Sequence, residues 1–260
     1  MVLLLGLWLH PATQPYARLA MRRMTFAALT LPYPLPPESK TWKTMSAAQR
    51  LTDVKKRLQG PLEAELAKSG LQLGQAAYIR LFKESSEFEL WLKSASGAWK
   101  LFRTYPIAVF SGGLGPKQKE GDMQAPEGCY GITRGQLNPA SNYHLAFNIG
   151  YPDALDRHHG RTGSLIMVHG DQVSIGCFAM TDPVIEEIYL IIEASLNNGQ
   201  TTISLHAFPF RMTPQRIEQA ASDKSPWLSF WNDLRVIHDA FERTHRPPLV
   251  SVSEGRYQVK

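Results

Sequence analysis

From Ala76 onward the apolar period of this 260-residue chain changes from helical to alternating, and no other feature limits its fold as much. Residues 78–83 (YIRLFK) and 87–92 (EFELWL) flank a Glu84-Ser85-Ser86 turn, which signals a hairpin. A second turn over residues 94–97 leads into residues 99–105 (WKLFRTY), so three strands follow one another as a meander. Upstream, residues 46–73 have helical spacing, with Leu51, Val54 and Leu58 before Gly60-Pro61 and Leu62 and Leu66 after it. That dipeptide predicts a break into two short helices. Lys55-Lys56-Arg57 reads as their solvated face.

Downstream, residues 111–144 hold many glycines and prolines and few apolar runs, and a long irregular stretch inside a compact domain is usually functional or mobile. Alternation resumes over residues 144–149, and a Gly-rich polar loop spans residues 151–163. Leu165-Ile166-Met167-Val168 is a continuous apolar run of the kind a buried strand shows, ending at His169. Asp182-Pro183 opens a helix that buries Ile185, Ile188, Ile192 and Leu196 and stops at Asn198-Gly199, with Asp182 as N-cap. Residues 201–208 alternate again. Residues 226–243 carry Trp227, Phe230, Leu234, Ile237 and Phe241 on one helical stripe, which reads as packing. The fold class is therefore α+β, mainly β between flanking helices, with 43% apolar and 20% charged residues to build the core.

The remaining composition narrows the function. A net charge of +5 suits an acidic polymer, but the basic residues are thinly spread without interleaved aromatics, so nucleic acid is excluded as the expected partner. Residues 1–9 are apolar without a preceding basic residue, and residues 21–29 have an Arg22-Arg23 pair but a short apolar stretch. Residues 1–37 read as a degraded or misassigned export segment closed by a linker rich in proline (Pro32, Pro34, Pro36, Pro37). No later run of ~20 apolar residues predicts a membrane span. Cys129 and Cys177 are too few for a disulfide scaffold, no His/Cys cluster has zinc-ligand spacing, and neither metal nor cofactor is expected.

One stretch concentrates chemistry: Cys177 stands eight residues after His169, in strand–loop–helix context. A thiolate is a strong nucleophile and an imidazole can generate it near neutral pH. Gly176 frees the backbone beside the cysteine, and Gly170 permits a sharp turn after the histidine. The Cys177 and Gly176 amides are candidate oxyanion donors for acyl transfer. A packing cysteine and a satisfied histidine remain the bland alternative. Asp171 fits two roles equally, orienting His169 or forming a turn. Arg161 and Arg157 are candidates to bind a carboxylate bidentately, and His144, His158 and His159 to approach from neighbouring loops. A papain-like order is disfavoured, because there the cysteine precedes its histidine.

The run from His169 to Asp182 resembles the L,D-transpeptidase catalytic-domain (YkuD) family, in the branch reading His-Gly-Asp and then Ser-x-Gly-Cys-x-Ala-Met-Thr-Asp. Supporting stretches include Tyr105-Pro106-Ile107, Leu114-Gly115-Pro116-Lys117, Gly121-Asp122, Pro126-Glu127-Gly128, Phe147-Asn148-Ile149-Gly150-Tyr151-Pro152 and His159-Gly160-Arg161-Thr162-Gly163. The resemblance covers residues 76–212, between a helical lead-in at 38–75 and a C-terminal helical extension at 213–260. It implies a mainly β catalytic domain acting on peptidoglycan stem peptides in the periplasm or cell envelope. By that resemblance Cys177 is the nucleophile, His169 the proton donor and acceptor, Gly176 part of the oxyanion hole and Ser174 the motif serine. Arg161, Gly170 and Asp171 would face substrate. Ile175 stands where the commonest family pattern has a second histidine, and the His–Cys spacing is shorter. Both departures leave three acceptors open: an amine, a lipoprotein lysine or water.

Overall fold

The computed structural model describes residues 40–260; the expected export segment and linker at 1–37 lie outside the described residues. A 3-10 turn (Lys40–Thr44) precedes helix α1 (Ala47–Lys68). The Ser46 hydroxyl accepts from the Gln49 amide while the Gln49 side chain accepts from the Ser46 amide, a capping box. The expected break at Gly60-Pro61 does not occur, and α1 runs through it. An internal proline costs about 3 kcal/mol, but Pro61 lies on the solvent side, while Val54, Leu58, Leu62 and Leu66 are buried in one stripe. Each such side chain contributes about 1.5–3 kcal/mol, so packing overrides the local penalty. The Lys55-Lys56-Arg57 run is also only partly solvated. Lys56 is exposed, whereas Lys55 pairs with Glu193 at 2.8 Å and Arg57 bridges Asp53 and Glu186, each at 2.8 Å.

Strands β1 (Ala77–Phe82), β2 (Glu87–Lys93) and β3 (Trp99–Pro106) form the expected meander. The chain continues through β4 (Val109–Phe110), β5 (Gly128–Ile132), β6 (Leu137–Asn138), β7 (Ala146–Asn148), the short helix α2 (Ala154–His158), β8 (Met167–His169) and β9 (Phe178–Ala179). Helix α3 (Asp182–Asn197) and strand β10 (Ile203–Phe208) follow. The first sheet has the order β3-β2-β1-β10-β5, with β10 parallel to β1; the second has the order β4-β9-β8-β7-β6, with β8 parallel to β9. Helix α3 touches α1, β1 of the first sheet and β7 and β8 of the second. Its buried isoleucines sit in one apolar core with residues from both sheets. This helix fixes the second sheet, whose strands are only two or three residues long.

The C-terminal extension holds α4 (Pro214–Ser222) and α5 (Leu228–Thr244), but it is not wholly helical as expected. It ends in a hairpin of β11 (Val250–Ser253) and β12 (Arg256–Val259) across the Glu254-Gly255 turn. Within α5 the expected Phe241 is fully buried, whereas the expected Phe230 is only half-buried and its neighbour Trp231 is buried in its place. Trp231, Leu234 and Ile237 join Phe82, Phe208, Phe210 and Tyr257 in a second core. The architecture is α+β, as the sequence implied.

Candidate active site

The parallel pairing of β8 with β9 builds the site. Val168 lies opposite Phe178 and His169 opposite Ala179. Cys177, one residue before Phe178, is therefore in register with Met167. Met167 and His169 alternate onto one face of β8, so the register brings Cys177 beside the strand that carries His169. The Met167 amide donates to Cys177 Sγ at 3.4 Å, and the thiol is directed at the Leu165 carbonyl, 3.7 Å away. His169 is buried, with the Tyr143 ring 4.8 Å from its own. Its Nδ1 lies 2.5 Å from the Gly170 carbonyl. A carbonyl only accepts, which assigns the proton to Nδ1 and leaves the lone pair on Nε2.

The loop between these residues is held by its own hydroxyls and by Asp182. Ser174 Oγ donates to the Cys177 carbonyl at 2.7 Å and accepts from the Gly176 amide at 3.2 Å. With its one hydrogen so used, Ser174 accepts from Ser111 Oγ, also at 3.2 Å. Gly176 has φ +140°, which disfavours any side chain. Gly170 is needed for a different reason: a Cβ there would come 2.5 Å from Asp182 Oδ1 and 2.8 Å from the Tyr143 carbonyl. Asp171 is in the left-handed region (φ 60°) and its carboxylate accepts from the Gln172 amide, a turn role. Thr181 also has positive φ (73°), which costs a β-branched residue about 1–3 kcal/mol. Its amide donates to the Asp171 carbonyl at 3.1 Å. Asp182 opens α3 one position inside the N-cap, and its Oδ1 accepts the Asp171 amide at 2.8 Å.

Burial sets the resting protonation of the pair. It lowers the basicity of His169, against the opposing pull of the Gly170 carbonyl and the Asp171 and Asp182 carboxylates. Burial also raises the Cys177 thiol, against the Met167 amide and the positive charge of Lys117. Near neutral pH the proton therefore rests on sulfur and the imidazole is neutral, ready to act as a base. Lys117, itself buried, donates to the Lys119 carbonyl at 2.9 Å and to Asp122 at 2.5 Å. Burial opposes ionisation of Asp122, but Lys117 and the amides of Lys119, Gln118 and Gln124 hold it below its ordinary value.

Other expected residues lie elsewhere or are engaged. Arg161 is buried, donates to Asp156 at 2.8 Å and packs over the Phe230 ring, so its charge is matched inside the protein. Arg157 is exposed and donates to the Pro152 carbonyl. His158 and His159 stack edge to face beside Gly255 of the C-terminal hairpin. His144 is buried against Glu186, at 2.7 Å. The Cys129 thiol is held well above its ordinary value by burial and by Asp153 and Asp156. Sequence reasoning did not single out Lys117, Ser111 or Tyr143 as site residues. Lys117 lay within a resembling stretch, whereas Tyr143 carried no signal in a polar loop. The mouth is apolar: of eight exposed large apolar side chains among the described residues, Met123, Tyr143, Leu165, Val173 and Ile175 belong to segments bordering this loop.

The sequence profile of the YkuD L,D-transpeptidase catalytic domain matches residues 85–217. With the α+β fold, this defines the class: an L,D-transpeptidase-type enzyme, or a related amidase or peptidase, whose chemistry concerns peptidoglycan. "Putative L,D-transpeptidase YafK" of Escherichia coli K12 is 44% identical over 187 residues, which span 72% of this chain and 75% of that protein. The same protein of E. coli O157:H7 matches equally. The chain belongs to the L,D-transpeptidase catalytic-domain (YkuD) family. Among solved structures, the helical cell shape determining protein Pgp2 of Campylobacter jejuni is 18% identical over 74% of this chain and 80% of that one, with a TM-score of 0.41. Its K307A mutant is 17% identical over 80% and 79%, with a TM-score of 0.44.

Proposed function

We propose that the chain is a cysteine-dependent L,D-transpeptidase that acts through a thioester at the diaminopimelate of a peptidoglycan stem peptide. One observation carries the reading: the Cys177 thiol accepts from the amide of Met167, two residues before His169 on β8, and the imidazole is fixed by the Gly170 carbonyl so that Nε2 holds the lone pair. His169 Nε2 takes the thiol proton as Sγ attacks the diaminopimelate carbonyl. The C–S bond forms, the carbonyl pair moves onto oxygen, and the oxyanion is met by backbone amides at Cys177 and Gly176. Because the Gly176 amide already serves Ser174, the Cys177 amide is the principal donor. The tetrahedral intermediate collapses by breaking the C–N bond, and His169 protonates the departing amine. A second amine or water, deprotonated by His169, then releases the acyl group and restores the thiol.

The partly buried Ser174–Ser111 brace keeps the loop in place through both half-reactions. The apolar mouth around Leu165 and Ile175 suits the aliphatic parts of a stem peptide or an apolar acceptor better than bulk water. Peptidoglycan as substrate places the reaction in the periplasm or cell envelope. A hydrolytic relative, freeing a lipoprotein or shortening the stem, uses the same acyl-enzyme with a different acceptor. Whole sacculi carrying lipoprotein, incubated with the purified chain and analysed by mass spectrometry, distinguish the outcomes. New crosslinks support the transpeptidase; released lipoprotein or shortened stems without crosslinks replace it by the hydrolase.

A further inference from the structure

The lead-in at residues 40–68 lies outside the stretch matched by the family profile, yet two of its side chains reach the walls around His169. Trp42 Nε1 donates to Asp182 Oδ2 at 2.8 Å, across 140 residues of sequence. The other oxygen of that carboxylate accepts the Asp171 amide, also at 2.8 Å, and the Asp171 carbonyl in turn holds strained Thr181. This chain fixes the turn directly after His169 and Gly170. On the other side, Arg50 Nη1 donates to the carbonyls of Pro139 at 3.2 Å, Ser141 at 2.8 Å and His144. Those carbonyls bracket Tyr143, whose ring lies against the His169 imidazole and whose carbonyl limits Gly170. Trp42 itself is buried between the Arg50 guanidinium, 4.7 Å from its ring, and the His144 ring, at 5.1 Å. Both walls of the imidazole pocket are thus anchored at one corner of the lead-in.

We propose that Trp42 and Arg50 are positioning residues for His169, making the lead-in a working part of the site. The inference rests on His169 being the acid–base residue of the proposed reaction. Trp42→Phe keeps an aromatic side chain, though a smaller one, but leaves Asp182 Oδ2 without its buried donor, so the carboxylate turns and its grip on the Asp171 amide loosens. Arg50→Met releases three carbonyls at once, whereas Arg50→Lys retains a donor. The Trp42 and Arg50 side chains are both buried and bonded to protein groups, so the loss is expected on the chemical step rather than on substrate binding. Misplacement of a catalytic group by about 1 Å costs roughly 100-fold.

The test measures turnover of tetrapeptide muropeptides, thermal melting and the His169 imidazole 15N signals in the full chain. In Trp42→Phe and Arg50→Met, kcat is expected to fall between about 10- and 100-fold with KM within about twofold, and Arg50→Lys to recover part of the loss. His169 is expected as a single Nδ1–H tautomer in the unmodified chain and as a tautomer mixture in the two variants. Unchanged kcat and an unchanged tautomer in folded variants overturn the proposal, as does a loss of activity that only tracks the unfolded fraction. The NMR arm needs no turnover. If the unmodified chain lacks Cys177-dependent activity while the variants still shift the tautomer, the positioning stands and the functional reading falls.

Discussion

At the scale of single residues, the resting state of Cys177 distinguishes this site from a preformed thiolate–imidazolium pair. Burial raises the thiol and lowers the imidazole, so free enzyme holds a neutral pair. Iodoacetamide alkylation of Cys177 is expected to rise with pH and to reach its midpoint above that of an ordinary thiol. A rate plateau extending below about pH 6 would instead reveal an ion pair. His206 gives a second residue-scale expectation, on stability. It is buried, with Nδ1 2.8 Å from the Tyr78 hydroxyl, and burial followed by the Arg80 charge pushes its pKa down to about 3. The unfolded chain takes up this proton near pH ~6.5 and the native chain only near 3, so the unfolded state binds more protons between them. The stability is present above the unfolded value and is lost as pH falls toward 3, with a slope approaching about 1.4 kcal/mol per pH unit. Denaturant titrations across this range check it; His206→Gln should flatten the acid limb, to which His169 and His238 also contribute.

At the scale of elements, α1 shows how tertiary packing outvotes a local signal. Gly60 lies exposed in the helix interior, and a Cβ there meets nothing within 4 Å. Gly60→Ala is therefore expected to raise stability by about 1 kcal/mol, read as a higher melting temperature; no change would mean that the helix is interrupted there after all. The same element marks where sequence reading stopped. Strands β1, β2 and β3 were legible because six to eight residues of apolar, β-branched or aromatic character separate clear turns. Strand β5 was missed because Gly128 and Gly131 dilute the alternation of Tyr130 and Ile132, although all of Gly128, Tyr130 and Ile132 are buried. Strands β4, β6 and β9 have two residues each, too few to carry any period. They exist because α3 and neighbouring strands hold them.

At the scale of the whole molecule, one buried ion pair joins the two ends of the fold to the site. Lys83 at the end of β1 is 3.0 Å from Glu127 and donates to the carbonyls of Ala125 at 2.9 Å and Gly115 at 3.1 Å. Glu127 accepts the Gly115 amide at 2.7 Å and Trp231 Nε1 of α5 at 2.8 Å. This node shapes the loop that carries Lys117, whose positive charge acts on the thiol. Lys83→Met leaves the carboxylate buried without its counter-charge and is expected to cost about 3–5 kcal/mol, seen as a lower denaturant midpoint. A loss under about 1 kcal/mol would show that water or a shifted proton replaces the pair. Such long-range ties were invisible in the sequence, where Lys83 read as the last residue of a strand. The Cys177/His169 pair was legible because its chemistry lies within one short segment; Trp42, Arg50 and Tyr143 were not, since only folding brings them to it.

In the proposed reaction Cys177 carries the acyl group. Intact-protein mass spectrometry after brief exposure to tetrapeptide muropeptides, followed by peptide mapping at acid pH, tests it directly. The expected result is one hydroxylamine-labile acyl adduct on the peptide containing Cys177, retained in Cys129→Ser and absent in Cys177→Ala. An adduct that persists in folded Cys177→Ala, or turnover by that variant at the unmodified rate, would rule out Cys177 as the nucleophile.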